Sequence, residues 1–163
     1  MHNIALMARF NAWANQRLYG AVAEMRDEDY RADRGAFFGS VHATLNHLLV
    51  VDILWRARIE GWRPEIAGLD QILHETFKDL SEARREEDLK LIGLTDSLDG
   101  ASLESEVSFG LLKSPDRRLS LRRDHILITL FNHQTHHRGQ VHCLLTQSGI
   151  TPPPLDVLDY LLG

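Results

Sequence analysis

The sequence predicts an all-α fold: a four-helix bundle with a small β-hairpin between helices 3 and 4 and a short C-terminal helix. Four long segments repeat apolar residues every three or four positions, which is the period of an amphipathic helix. Between the third and fourth of these segments the period changes to two, which indicates paired strands. Three consecutive prolines, at positions 152–154, separate the last residues from the fourth helix.

The first two helices are separated by a polar break at 27–35. The first is predicted over residues 3–26, where apolar residues recur at helical spacing: Met7, Phe10, Ala14, Leu18, Ala21 and Met25. The second is predicted over residues 40–60. It ends at Gly61, with Pro64 beyond it, and a glycine followed by a proline is a common helix stop.

The third helix is followed by the segment with a period of two. Asp70 is a suitable N-cap for this helix, whose apolar stripe is Leu73, Phe77, Leu80, Leu91 and Leu98. Asp99-Gly100 ends it. Apolar residues at 103, 107, 109 and 111 then alternate with polar or small ones, which predicts a strand. A turn at 113–116 leads to a second strand over 117–121.

The fourth helix is predicted over residues 122–147 and is closed by Gly149. A terminal helix over 155–162 follows the prolines. We find no internal repeat, low-complexity stretch or long linker in the sequence. The chain is therefore predicted to form one helical-bundle domain over residues 1–163.

Two histidines of the fourth helix lie on its apolar stripe. His133 and His137 are one turn apart, so their directions differ by only about 40°. Burying two imidazoles needs a reason, and two converging acceptor nitrogens suit a divalent metal. The alternative is a pair of core histidines whose nitrogens bond to neighbouring groups. The residues between them lack the glutamate of the HExxH metalloprotease signature, so that activity is not indicated.

A third ligand is needed, because two protein ligands are too few for a stable site. His47 is the best candidate, since it shares an apolar helical face with Val51 and Leu54. Asp52 projects about 140° away from His47, and His42 also projects about 140° away and is predicted to be exposed or at the edge. Asp124 is better explained as a favourable charge at a helix N-terminus. Cys143 is interpreted as a small packing residue.

Four further polar residues are predicted to form hydrogen bonds or ion pairs. Gln140 lies about 20° from His133, so it is either a hydrogen-bond partner of the site or an amide at a helix interface. Arg138 projects about 140° from His133 and is predicted to pair with an acid. Asn11 and Asn15 are predicted to form hydrogen bonds between helices.

Three segments together resemble the DinB family of metal-binding four-helix proteins, which is grouped with the YfiT-like thiol transferases. They are FNAWANQRL, LNHLLVVDILWRARIEG and the C-terminal NHQTHHRGQVHCLLTQSGITPPPLDVLDYL. The last is the most specific, because HxxxHRGQ is followed by a glycine and a proline-rich tail that contains aspartate. The resemblance implies that His47, His133 and His137 are the metal ligands, and it implies metal-dependent transfer of a low-molecular-weight thiol.

Composition narrows the class of protein. The net charge is −5 and arginines are mixed with acids, so nucleic-acid binding is not indicated. The N-terminus lacks the apolar region of a signal peptide, and no stretch approaches the roughly 20 apolar residues of a membrane span. The single cysteine excludes an intrachain disulfide and suits a reducing compartment, so we expect a cytoplasmic protein without membrane contact.

Two functions remain open from the sequence. The first is a metal-dependent S-transferase acting on a small thiol. The second is a stress-response protein that binds a metal or another small ligand without turnover. All-nitrogen ligation suits zinc, nickel, copper or iron better than magnesium or calcium and does not choose among them; the expected cofactor is a divalent transition metal, zinc or nickel. Three protein ligands would leave a position open for water or substrate. A homodimer is expected, because relatives are often dimeric and the first helix is amphipathic.

Overall fold

Four long helices form the bundle in the computed structural model, which describes residues 3–163. They are α1 (Asn3–Val22), α3 (Val41–Glu60), α4 (Phe77–Ser97) and α6 (Arg123–Gln147). Helices α1 and α3 each pack against both α4 and α6, so the four enclose a common interior. Three short helices complete the helical part: α2 (Asp27–Arg31), α5 (Gly100–Glu104) and α7 (Val157–Leu162).

The predicted hairpin lies between α5 and α6. Strands β1 (Glu106–Leu111) and β2 (Ser114–Arg122) are antiparallel, with Val107 opposite Leu121 and Phe109 opposite Leu119. Val107 and Phe109 are buried against the bundle. The predicted fold class is confirmed, including the place of the hairpin and the short C-terminal helix.

Two helix boundaries differ from the prediction. The first helix ends at Val22 and not at 26, and the polar break contains α2, whose first turn carries three acids that suit a helix N-terminus. The prediction of Asp70 as an N-cap is wrong. Helix α4 begins at Phe77, after Thr76, whose side chain accepts a hydrogen bond from the Asp79 amide at 3.1 Å.

The segment before α4 stays non-helical because a buried side chain binds its backbone. Asn46 Oδ1 accepts hydrogen bonds from the amides of Leu73 and His74, at 2.9 and 3.0 Å. These bonds replace the partners that a helix would supply. A further difference lies beyond α4: residues 100–104, predicted in part as strand, form α5. The Asp99 side chain caps this helix by accepting from the Ser102 amide at 2.8 Å.

The interior has a layered composition. One apolar cluster contains Leu18, Leu45, Leu48, Leu49, Leu80, Val141, Leu144 and Leu145, and a second, toward the hairpin, contains Ala8, Ile59, Leu91, Val107, Phe109, Ile126, Leu127, Leu130 and Phe131. Each long helix contributes residues to both clusters, and along each helix buried polar residues separate the two contributions: Asn11, Asn15, Asp52, Arg84, Asp88, Gln134 and Arg138. We call this group the polar layer.

Within residues 3–163, none of the helices is long and apolar enough to cross a membrane.

Candidate metal centre

The three predicted histidines meet between α3 and α6. His47 comes from α3, and His133 and His137 come from successive turns of α6. One ligand-type nitrogen of each lies within 4.8 Å of the other two. The Nε2 atoms of His47 and His133 are 3.0 Å apart. No other group of three such side chains occurs in the described part of the chain.

Two of the imidazoles are oriented by hydrogen bonds from their other nitrogen. His47 Nδ1 lies 2.7 Å from the carbonyl oxygen of Leu69, and His137 Nδ1 lies 2.7 Å from Gln140 Oε1. Both partners are acceptors, so in a neutral ring Nδ1 carries the proton and Nε2 carries the lone pair. Histidine ligands of metals are commonly held in this way by an outer acceptor. Of the two roles left open for Gln140, the structure shows the hydrogen bond to the site.

Burial keeps all three imidazoles neutral. It lowers the pKa of His47 and of His137, and it lowers the pKa of His133 to about 3, with the neighbouring His137 and His47 adding repulsion. Neutral imidazole is the form that ligates a metal, so these groups need not lose a proton at pH 7 in order to bind.

The arrangement fits a transition metal. Two lone-pair nitrogens facing each other at 3.0 Å repel unless a cation or a proton lies between them. In a tetrahedral zinc site with bonds of about 2.0–2.1 Å, ligand atoms are about 3.3 Å apart, close to this separation. The Nδ1 atom of His133 is buried and has no hydrogen-bond partner among the described residues. Three close imidazoles can thus hold an ion, and the donor set favours zinc, nickel, copper or iron.

A loop before α3 covers one side of the triad. The Phe38 ring stacks on the His47 ring, with centroids 3.9 Å apart and planes 24° apart, and lies 5.5 Å from the His137 ring. Sequence reasoning missed this contact because Phe38 lies between the polar break and the second predicted helix, in a stretch with no periodicity. Its only signal was the Phe37–Phe38 pair in an otherwise polar segment.

An open groove lies next to the triad, at Gln140 and His136, and is not lined by the triad histidines themselves. It has a volume of about 360 Å³ and is lined by Arg34, Gly35, Ala36, His136, Gly139, Gln140, Cys143, Leu144 and Gln147. The His136 ring lies 4.8 Å from the His137 ring. The interpretation of Cys143 as a packing residue is wrong, because the thiol is exposed at this groove.

The other titratable candidates lie away from the triad. His42 is buried, contrary to the prediction, and its Nε2 lies 3.0 Å from the His74 carbonyl oxygen. The long non-helical segment before α4 covers this face, which the sequence pattern did not indicate. Asp52 is fully buried and accepts from Gln134 Nε2 at 2.6 Å, so it belongs to the polar layer and not to the triad, in keeping with its predicted projection away from His47. Asp124 lies in the first turn of α6, as expected.

The polar layer joins all four long helices. Arg84 forms ion pairs with Asp52 at 2.8 Å and with Asp88 at 3.0 Å. Asn15 Nδ2 donates to Asp88 at 3.0 Å, and Asn11 does so at 3.3 Å, which confirms their interhelical role.

The predicted partner of Arg138 is corrected by this layer. Arg138 is buried and donates to the amide oxygens of Asn11, Asn15 and Gln134, and within residues 3–163 none of its hydrogen bonds reaches an acid. The aspartates of the layer are bound by Arg84 and by the amide nitrogens of the Asn and Gln side chains. The amide oxygens of those side chains are then available to accept from Arg138. Burial lowers the pKa of Arg138 to about 10.

Comparison with known proteins places the chain in a family. The family model described as "DinB family" matches residues 1–162. The protein DinB of Bacillus subtilis (strain 168) is 26% identical over 164 residues, which cover 93% of this chain and 90% of that protein. The crystal structure of a DinB-like protein from Bacillus cereus ATCC 10987 has a similar fold. Its TM-score is 0.62 at 20% identity, and the match covers 87% of this chain and 90% of that chain. The chain therefore belongs to the DinB family.

Proposed function

We propose that His47, His133 and His137 bind one divalent transition metal, zinc or nickel, and that the loaded centre activates a low-molecular-weight thiol for transfer to an electrophile. The observation that carries this proposal is the convergence of three neutral imidazoles beside an open groove. Three protein ligands leave a coordination position for a substrate atom, which a closed four-ligand structural site does not.

The metal would supply one thing, a lowered pKa for a coordinated thiol, so that the nucleophilic thiolate forms at neutral pH. The chain provides the surroundings. Phe38 shields the His47 ring from water, and the groove beside Gln140 has room for a small molecule. His136 Nε2 lies 3.4 Å from the Gln140 amide nitrogen. Because the amide nitrogen is a donor, His136 Nε2 would carry a lone pair, and in this proposal that nitrogen accepts the thiol proton.

The second candidate is a protein that binds the metal and a small ligand without turnover. It is favoured by the absence of any carboxylate from the cluster of metal-ligating side chains found within residues 3–163. The buried acids Asp52 and Asp88 are engaged by Arg84 in the polar layer. Neither of these two buried acids is therefore free to act as a general acid or base at the triad, and the mechanism uses His136 instead.

Cobalt-substituted protein separates these candidates. We expect excess 2-mercaptoethanol to produce an intense sulfur-to-cobalt charge-transfer band, because the thiolate occupies the open position. The loaded protein should also accelerate conjugation of the thiol to 1-chloro-2,4-dinitrobenzene at pH 7 by at least about tenfold over metal-free protein. At pH 7 the free thiol is almost entirely protonated, so a centre that holds it as thiolate should raise the rate.

The matched control is His142→Ala, which removes a histidine from the same helix outside the triad. It should retain both the band and the rate, whereas His137→Ala should lose both. A band without acceleration would favour the non-catalytic function. An unchanged spectrum under excess thiol would rule out thiol activation at this centre.

A further inference from the structure

We propose that a second cavity, at the hairpin end of the bundle, binds a small organic anion with an apolar body. The cavity lies between the C-terminal half of α3, the segment 61–66 and the hairpin, and has a volume of about 360 Å³. That volume lies within the range of about 300–1,000 Å³ that is usual for small-molecule sites. We call it the arginine cavity, after Arg58, Arg63 and Arg118, which line it.

The arginine cavity carries three positive charges, and none of the described residues that line it is acidic. The nearby Glu60 is engaged elsewhere: its Oε2 accepts from Arg56 Nη1 at 2.6 Å and from Trp62 Nε1 at 2.7 Å. Arg63 forms no hydrogen bond or ion pair with any described residue. The cavity therefore has an excess of guanidinium donors, and a carboxylate, sulfonate or phosphate would satisfy them.

Arg58 is held in place for such a contact. Its guanidinium lies 4.4 Å from the Trp55 ring and 4.6 Å from the Phe109 ring, and its hydrogen bond to the Gly110 carbonyl oxygen is long, at 3.5 Å. Burial lowers the pKa of Arg58, in keeping with a charge that has no carboxylate partner. Arg118 keeps part of its donor set free, since its hydrogen bonds to the carbonyl and hydroxyl oxygens of Ser108 use only Nη2.

Most of the other side chains that line the arginine cavity are apolar, which sets the second property of the ligand. Its walls include Leu54, Ala57, Pro64, Ile66, Leu111 and Leu112. A purely inorganic anion would leave these apolar walls exposed to water, whereas a ligand with an aromatic or aliphatic body would bury them. The cavity is also separate from the triad. Arg58 follows His47 by about three turns of α3, or roughly 16 Å.

We would test this with 1-anilinonaphthalene-8-sulfonate, an aromatic sulfonate whose fluorescence rises in apolar surroundings. It should bind folded protein with 1:1 stoichiometry. Phenylacetate should displace it, and the neutral phenylacetamide should do so at least tenfold less well. Because this comparison uses the unaltered protein, it does not depend on any variant folding. Equal competition by the acid and the amide would overturn the proposal.

A pair of double variants tests the location at constant net charge. Arg63→Gln/Arg118→Gln removes two charges from the arginine cavity, while Arg85→Gln/Arg117→Gln removes two exposed charges that do not line it. Losing two charge-assisted contacts should weaken probe binding at least tenfold in the first variant and less than twofold in the second. Equal affinities in the two variants would overturn the location. So would loss of binding in His137→Ala, because the probe would then occupy the triad.

Discussion

Replacement of His47, His133 or His137 by alanine, one at a time, is expected to abolish stoichiometric binding of zinc or nickel. Each change removes one of three ligands and leaves two, too few for a stable site. The loss should exceed the roughly 10–100-fold decrease in affinity that follows removal of an outer hydrogen-bond partner. Gln140→Ala, which removes only the partner of His137, should therefore fall between the triad variants and the wild type. Metal content measured by plasma emission, on protein purified without an affinity column, checks this.

The controls for this experiment are histidines outside the triad. His125 is exposed, and His142 lies near the Pro153 carbonyl oxygen, so neither faces the centre. Alanine at either position should leave the stoichiometry intact. Full metal content in His47→Ala, or loss in His142→Ala, would show that the ligand set is different.

The second large effect is expected in the polar layer. Arg84→Met should lower the free energy of unfolding by about 3–5 kcal/mol at pH 7, because Asp52 and Asp88 would remain buried without their cation. Urea denaturation followed by circular dichroism measures the difference. Arg85→Met is the matched control on the same helix. Arg85 is exposed, and its replacement should change stability by no more than about 0.5 kcal/mol.

The loss of stability caused by Arg84→Met should depend on pH, and the direction of that dependence can be predicted. Burial already raises the pKa of Asp52 to about 7, and Arg84 opposes that rise. Without Arg84 the pKa rises further, so the folded variant takes up a proton that the unfolded chain, with an ordinary carboxyl pKa of about 3.9, does not. The difference between wild type and variant should therefore shrink as the pH falls from 9 to 7, and it should change little below 7, where Asp52 takes up a proton in both folded proteins. A difference that stays constant or grows as the pH falls from 9 to 7 would contradict the assignment of a charged Asp52–Arg84 pair.

The polar layer also bears on how the candidate centre is positioned. Gln134 follows His133 on α6, and its amide donates to Asp52 on α3, the helix that carries His47. Apolar layers alone tolerate sliding of one helix along another, whereas hydrogen-bonded polar groups are satisfied at one register only. We therefore interpret the layer as the feature that fixes α3 against α6, and so brings His47 level with His133 and His137.

Helical periodicity was sufficient to predict which histidines come together. His133 and His137 share the apolar stripe of α6, and His47 lies on an apolar face of α3, so both faces had to be buried against neighbours. The hairpin was equally visible, because Val107 and Phe109 alternate with polar residues. In each case the information is local to one element.

The features that the sequence did not predict depend on contacts between distant segments. The start of α4 is set by Asn46, which binds the backbone of residues 73 and 74 and prevents a helix from beginning at Asp70. The burial of His42 follows from the same segment folding over α3. The stacking of Phe38 on His47 likewise depends on where a loop without periodicity crosses the bundle. A period within one helix carries no information about these contacts.

X-ray absorption at the zinc edge of the loaded, thiol-free protein tests the central claim most directly. We expect three imidazole nitrogens, recognisable by their outer-ring scattering, and one oxygen from solvent, all at about 2.0–2.1 Å. Replacement of any triad histidine should remove one imidazole contribution. A sulfur at about 2.3 Å in the resting protein would mean that Cys143 is a ligand, and fewer than three imidazoles would mean that the triad does not hold the ion; either result would contradict the proposed centre.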